Sequence, residues 1–169
     1  MTNMNMLRVG SAEVTPSRQP LRPIVEAACE EMRPLIEAKG QELRRHVPGE
    51  ELVARVDAPK LTMALTNLLN NAMRFTPGGG RIDLGMERHG AEAWVRVKDN
   101  GPGIPTEQLE RVFDQFYQVE HHMTRRHEGM GLGLSIVRAV VRAHNGRVWA
   151  ESPGQDQGTT FTIALPLAS

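Results

Sequence analysis

The stretch TNLLNNAMRFTP, residues 66–77, sets three amides, Asn67, Asn70 and Asn71, inside an otherwise apolar run. Asparagine is a poor helix former and is costly to bury without partners, so its presence here asks for a chemical reason. On a helical wheel with Asn67 at zero, Asn71 falls near about 40°, Arg74 near about −20° and Phe75 near about 80°. Leu61, Leu65, Leu68 and Ala72 cluster between about 100° and 160°. A core stripe therefore runs beside a polar strip that ends in an aromatic ring. An amide oxygen can ligate a hard divalent cation such as Mg²⁺, and an arginine can hold phosphate. Asn70, near about −60°, falls to solvent. Taken alone, the helix is explained equally well by a solvated face or a set of internally hydrogen-bonded amides.

Two glycine-rich segments bear on the choice. DNGPGI (99–104) follows a strand directly, so Asp99 can accept from an exocyclic amine while Gly101 and Gly103 let backbone pass close to a planar base. GMGLGLSIV (129–137) sets three alternate glycines at the opening of a helix. Such a segment can present backbone N–H groups to phosphate where the helix dipole favours anions. Each segment has ordinary structural uses by itself. In this order, and with the amide helix before them, they describe a site for a base and its phosphates.

The elements that must position these residues follow from periodicity. Residues 1–20 are polar and lack sustained periodicity, and are read as a leader or linker with a short helical piece near Met4–Val9. Apolar positions from Leu21 to Ile36 predict a helix ending by Gly40, with Pro34 expected to kink it or remove one bond. Residues 42–47 and 51–57 alternate as two strands around a Pro48-Gly49 turn. Pro59 opens a helix to about Phe75. Residues 81–88 and 92–99 form a hairpin across His89-Gly90, and a short helix is expected around 106–112. A strong helix from Leu132 to about His144 ends at Asn145-Gly146, and 147–152 and 159–166 are the last strands. The order implies an α+β fold, a two-layer α/β sandwich with about three helices on one face of a mixed, mostly antiparallel sheet. Residues 21–167 make up that domain.

Composition narrows the function. The chain has 169 residues, 40% hydrophobic and 24% charged, and its 20 Lys+Arg balance 20 Asp+Glu. No global field therefore argues for nucleic acid or an anionic membrane as partner. Cys29 is the single cysteine, so no internal disulfide forms, which fits a reducing compartment. The sequence holds no apolar run long enough to span a bilayer and no signal-peptide pattern. The expectation is a cytoplasmic domain without membrane contact of its own.

Four segments in order resemble the boxes of the catalytic and ATP-binding domain of bacterial sensor histidine kinases, in the GHKL superfamily of gyrase, mismatch-repair and heat-shock ATPases. NLLNNAMRF is similar to the N box, DNGPGI and GMGLGLSIV to the two glycine boxes, and FDQFYQ (113–118) to the F box. The resemblance covers residues 20–167 and implies the Bergerat ATP-binding fold with a mobile ATP lid at about Val119–Glu128. It implies Asn71 as Mg²⁺ ligand, with Asn67 beside it, Arg74 on phosphate and Phe75 near the nucleotide. Asp99 would receive the adenine amino group, and Gly101, Gly103 and Ile104 would shape the base pocket. Gly129, Met130, Gly131, Leu132, Gly133 and Leu134 would close on the phosphates, with Tyr117 and Thr160 completing the nucleotide set. Phe113 and Phe116 would anchor the lid. The ligands so implied are ATP and Mg²⁺.

Related hydrolases place a glutamate four residues before the metal-binding asparagine, where it can act as a general base. Here that position is Asn67, which cannot accept the proton, and this argues against efficient hydrolysis and against a serine kinase of the anti-sigma-factor type. Where the family often has a basic residue after its F-box tyrosine, this chain has Gln118, so Arg125 or Arg126 would supply the cation. None of the six histidines (46, 89, 121, 122, 127 and 144) stands in a setting like the family's phosphorylation box. The lid histidines 121, 122 and 127 lack an accompanying carboxylate or cysteine cluster and are read as solvated. The expected partners are thus a histidine-bearing dimerisation domain elsewhere, of which residues 1–20 could be the end, and, indirectly, a response regulator. The isolated chain is expected to be a monomer. A nucleotide-sensing module without phosphotransfer and a slow ATPase are the alternatives. Arg125→Ala and Arg126→Ala should depress phosphotransfer to an added histidine domain more than they weaken ATP binding. Unchanged transfer rates would remove both lid cations from the reaction.

Overall fold

The structure, a computed structural model, describes residues 13–109, 111–114, 130–153 and 157–168. Its elements run β1 (Ser17–Pro20), α1 (Leu21–Ala38), β2 (Glu42–His46), β3 (Val53–Val56), α2 (Ala58–Phe75), β4 (Arg81–His89) and β5 (Glu92–Asp99). Two single 3₁₀ turns, Thr106–Gln108 and Arg111–Phe113, precede α3 (Met130–Ala143), β6 (Arg147–Glu151) and β7 (Thr159–Pro166). The main sheet has the order β2-β4-β5-β7-β6, parallel between β2 and β4 and antiparallel elsewhere. The three helices pack on one face of it, as the alternation predicts.

That alternation makes the core. Ile82, Leu84 and Met86 of β4, Ala93, Val95 and Val97 of β5, and Phe161, Ile163 and Leu165 of β7 are buried together on one face. They are covered by Leu61, Leu65, Leu68 and Ala72 of α2 and by Val137, Val140 and Val141 of α3, in one continuous cluster. The intervening residues, such as Asp83, Arg96 and Thr160, point to the other face, where Trp94 and Trp149 meet edge to face under Arg96 and Arg147.

Several expectations are corrected. The strands at 42–46 and 53–56 do not pair with each other: β2 joins the main sheet beside β4, while β3 pairs antiparallel with β1 in a separate two-stranded sheet. Ser17–Pro20, read as leader, is therefore a strand; at four residues, ending in proline, it is too short to show a period. α3 begins at Met130, two residues earlier than predicted, and α1 passes through Pro34 as one helix. The expected helix near 106–112 is the pair of 3₁₀ turns. The predicted helix near Met4–Val9 lies outside the described residues.

α2, which carries the amides, is held at both ends. Its N-cap is Asp57, whose Oδ1 accepts from the Lys60 N–H at 3.1 Å and whose Oδ2 accepts from the Thr15 N–H at 2.8 Å. The Asp57 N–H donates to His144 Nε2 at 2.9 Å, and His144 Nδ1 donates to the Val140 carbonyl at 2.8 Å, which joins the start of α2 to the end of α3. At the other end Gln41 Nε2 donates to the carbonyls of Met73 at 3.0 Å and Thr76 at 2.6 Å. α3 itself stops at Asn145, at φ 63°, with the Gly146 N–H returning to the Val141 carbonyl in a Schellman closure. Asp57→Ala should lower unfolding free energy by about 0.5–2 kcal/mol, the scale of a lost N-cap. Leu68→Ala should cost about 2–5 kcal/mol, and urea unfolding measures both.

Candidate nucleotide site

β5 ends at Asp99, and the site begins there. The residue is only 4% exposed, so its carboxylate sits away from water at the mouth of the sheet. Oδ1 accepts from the Gly101 N–H at 2.9 Å, and the carboxylate also accepts from the backbone N–H of Thr159, its register partner on β7. Burial pushes its pKa up, while those two backbone donors pull it down. Gly101 follows because the chain must turn against α2: a Cβ there would stand 2.7 Å from the Phe75 carbonyl oxygen. Asn100 serves the fold rather than the cleft, its Oδ1 accepting from the Arg81 N–H at 2.8 Å and so fixing the start of β4.

Asp99 lies in a cleft lined by Asn71 and Phe75 of α2, Pro102, Gly103 and Ile104 of the loop, Val112, Leu134 of α3, and Thr159 and Phe161 of β7. Among the described residues the wall is apolar apart from Asp99, Asn71 and Thr159, and Asp99 carries its one ionisable side chain. Phe113, buried next to Val112 in sequence, meets Phe161 edge-on at 5.7 Å and ties the 3₁₀ turn to the sheet. Asn71 is 5% exposed, and its Oδ1 accepts no hydrogen bond among the described residues. A buried, unpartnered carbonyl oxygen is costly, and it fits a hard cation as its partner. The described residues contain no group of three or more His, Cys, Asp or Glu that could hold a metal by themselves.

Of the residues singled out in the sequence, the structure brings Asn71, Phe75, Asp99, Gly103, Ile104 and Leu134 together on one cleft, with Gly101 at its edge. Asn67 and Arg74 are half-buried on the same helix and outside the lining. The backbone of Met130, Gly131, Leu132 and Gly133 forms the first turn of α3. Thr160 stands elsewhere: it pairs with Lys98 and Glu151 and faces away from the cleft, and Thr159 holds the position instead. Period-two parity would have found this, since 159, 161, 163 and 165 share a face. Pro102, Val112 and Phe161 also line the cleft without having been singled out; their signal was only that of core residues. Phe116, Tyr117, Gln118, the lid with its histidines, Arg125 and Arg126, and Gly129 lie outside the described residues.

This arrangement, a buried acceptor in an apolar slot with an orphaned amide beside it, can be set against known proteins. A family described as histidine kinase-, DNA gyrase B-, and HSP90-like ATPase matches residues 56–169. The chain belongs to this family. Within the GHKL ATPases its relatives are sensor kinases. Sensor histidine kinase WalK of Bacillus subtilis is 40% identical over 124 residues, covering 72% of this chain and 20% of its own length. Among solved structures, a mycobacterial sensor histidine kinase, MprB, is 27% identical with a TM-score of 0.78, covering 90% of this chain and 98% of that one. Full-length ShkA in complex with AMPPNP is 26% identical with a TM-score of 0.83, covering 99% of this chain and 35% of that one. The chain spans about a fifth of the length of the WalK relatives. Its sandwich of three helices on a mixed sheet is the GHKL fold, and no helix among the described residues is long and apolar enough to cross a membrane.

The raised pKa of Asp99 gives a pH test. The folded chain holds this proton to higher pH than the unfolded chain, so stability falls as pH rises from the unfolded value through the folded one. Asp99→Asn removes that titration. Its stability relative to wild type should therefore increase as pH rises above the ordinary aspartate range of about 4 in urea unfolding, whatever constant offset the lost hydrogen bond adds. A flat difference would place the carboxylate in contact with water.

Proposed function

We propose that this chain binds Mg-ATP and donates the γ-phosphoryl group to a histidine on a separate dimerisation and phosphoacceptor domain, in two-component signalling that continues to a response regulator. The observation that carries the reading is the buried Asp99 carboxylate facing the same apolar cleft as the unpartnered Asn71 oxygen. ShkA, solved in complex with AMPPNP, supports a nucleotide as occupant.

Each group then has a task. Asp99 accepts from the exocyclic amine of adenine; a guanine keto oxygen would set two acceptors face to face, so the site selects ATP over GTP. Phe75, Ile104, Leu134 and Phe161 exclude water from the base. Asn71 Oδ1 would hold Mg²⁺, which supplies charge neutralisation at the phosphates. Arg74 adds a cation on the same helix, and the first turn of α3, with Gly131 and Gly133, offers backbone N–H groups at a dipole end that favours anions. Asn67 cannot take a proton from water, so hydrolysis is disfavoured, whereas an imidazole needs no such activation to attack. The chain acts as a monomeric, cytoplasmic catalytic domain on this reading.

Calorimetric titration tests it. MgADP and a non-hydrolysable MgATP analogue should bind in the micromolar range, with GTP analogues at least tenfold weaker. Asp99→Asn should abolish binding. Asn71→Ala should retain weak binding that no longer depends on Mg²⁺. Absence of nucleotide binding by the wild-type chain would overturn the proposal.

A further inference from the structure

The connection between β6 and β7 belongs to none of the four boxes, yet it closes a ring of hydrogen bonds around the base loop. Ser152 Oγ accepts from the Ile104 N–H at 3.0 Å and donates to the Gly158 carbonyl at 2.8 Å. The Gly158 N–H in turn donates to the Gly101 carbonyl at 3.0 Å, and the next residue, Thr159, donates to the Asp99 carboxylate. Backbone meets backbone here: Gly158 has φ +80°, and a Cβ on it would lie 2.0 Å from the Asp99 carbonyl oxygen. Ser152 is thus the one side chain in the ring besides Asp99 itself. A hydroxyl suits the place because it accepts and donates at once. Alanine would leave both the Ile104 N–H and the Gly158 carbonyl without their partner.

We infer that Ser152 is a positioning residue for nucleotide, acting through Ile104. Ser152 does not line the cleft, whereas Gly103 and Ile104 do. Its hydroxyl fixes the far end of the loop whose near end Asp99 fixes, so the wall and the acceptor keep one spacing before any ligand arrives. Such pre-organisation raises affinity without a new contact to the ligand. The inference rests on the nucleotide-binding reading above and adds a residue to it.

The experiment compares wild type, Ser152→Ala, Ser152→Thr and Ser152→Cys by amide hydrogen exchange without nucleotide and by calorimetric titration of MgADP and MgGDP. In Ser152→Ala the Ile104 N–H should exchange at least tenfold faster. Its MgADP affinity should fall roughly tenfold, the scale of one net hydrogen bond, and its preference for MgADP over MgGDP should shrink. Ser152→Thr keeps the hydroxyl and should return all three to within about twofold of wild type. Ser152→Cys, a near-isostere with a weaker acceptor, should fall between, and it carries the test if the alanine variant does not fold. Faster exchange with unchanged MgADP affinity would overturn the positioning role and leave a purely structural hydrogen bond. Wild-type exchange in Ser152→Ala or Ser152→Cys would overturn the clamp itself while nucleotide binding stands. Failure of wild type to bind MgADP would overturn both readings, and that outcome is told apart by the first titration alone.

Discussion

A carboxylate taken out of water must be compensated where it sits, and much of the site is the compensation for Asp99. The antiparallel register of β5 and β7 sets Thr159 opposite it, so one strand's first N–H meets the other strand's last side chain. The chain then turns at once to bring the Gly101 N–H back, and that turn can be made only against the Phe75 carbonyl, where no Cβ fits. Glycine at 101 is required by that turn, and glycine at 158 by the close approach of its backbone to the Asp99 carbonyl, before any ligand is considered. Burial still raises the Asp99 pKa against the pull of the two donors.

α2 presents an unsatisfied group, and its rigidity gives that group meaning. An orphaned amide on a loosely held helix would rotate toward water or find a backbone partner. Here Asp57, His144 and Thr15 fix the first turn, and Gln41 with Lys39 holds the last through the Met73 and Thr76 carbonyls. Between those ends Leu61, Leu65, Leu68 and Ala72 lock the rotation about the helix axis. Among the described residues the Asn71 oxygen has no partner, and Asn71 lines the cleft. A group held this way on a packed helix is more accurately placed than one on a loop.

What the sequence made legible follows the same physics. Amides in an apolar stripe and glycines at a strand end break local preference, and such breaks stand out against a regular background. The strands of the main sheet were legible because one face is buried, which enforces a period of two. β1 was not, because a four-residue strand shows too little of that period. β3 was read as a strand but given the wrong partner, because the Pro48-Gly49 turn suggested a pairing that the sheets do not make. Thr159 was missed in favour of Thr160 although strand parity separates them. Ser152 was illegible for a different reason: a serine beside a turn is common, and only the folded chain brings residue 152 to residue 104.

On the proposed reading, the base and phosphate ends of the site answer different demands. The base end would use groups that are buried, hydrogen-bonded and fixed before binding. The phosphate end would rest on Asn71 of the cleft, with Arg74 and the opening turn of α3 outside its lining, and on an amide at position 67 where a general base would otherwise stand. For a domain whose phosphoryl acceptor is a protein imidazole, that substitution is favourable. A carboxylate at 67 would activate water whenever the acceptor was absent and would waste the bound triphosphate between encounters. An amide keeps a hydrogen-bonding group near the phosphates and removes the basicity. On that reading the nucleophile, not the pocket, decides when transfer occurs.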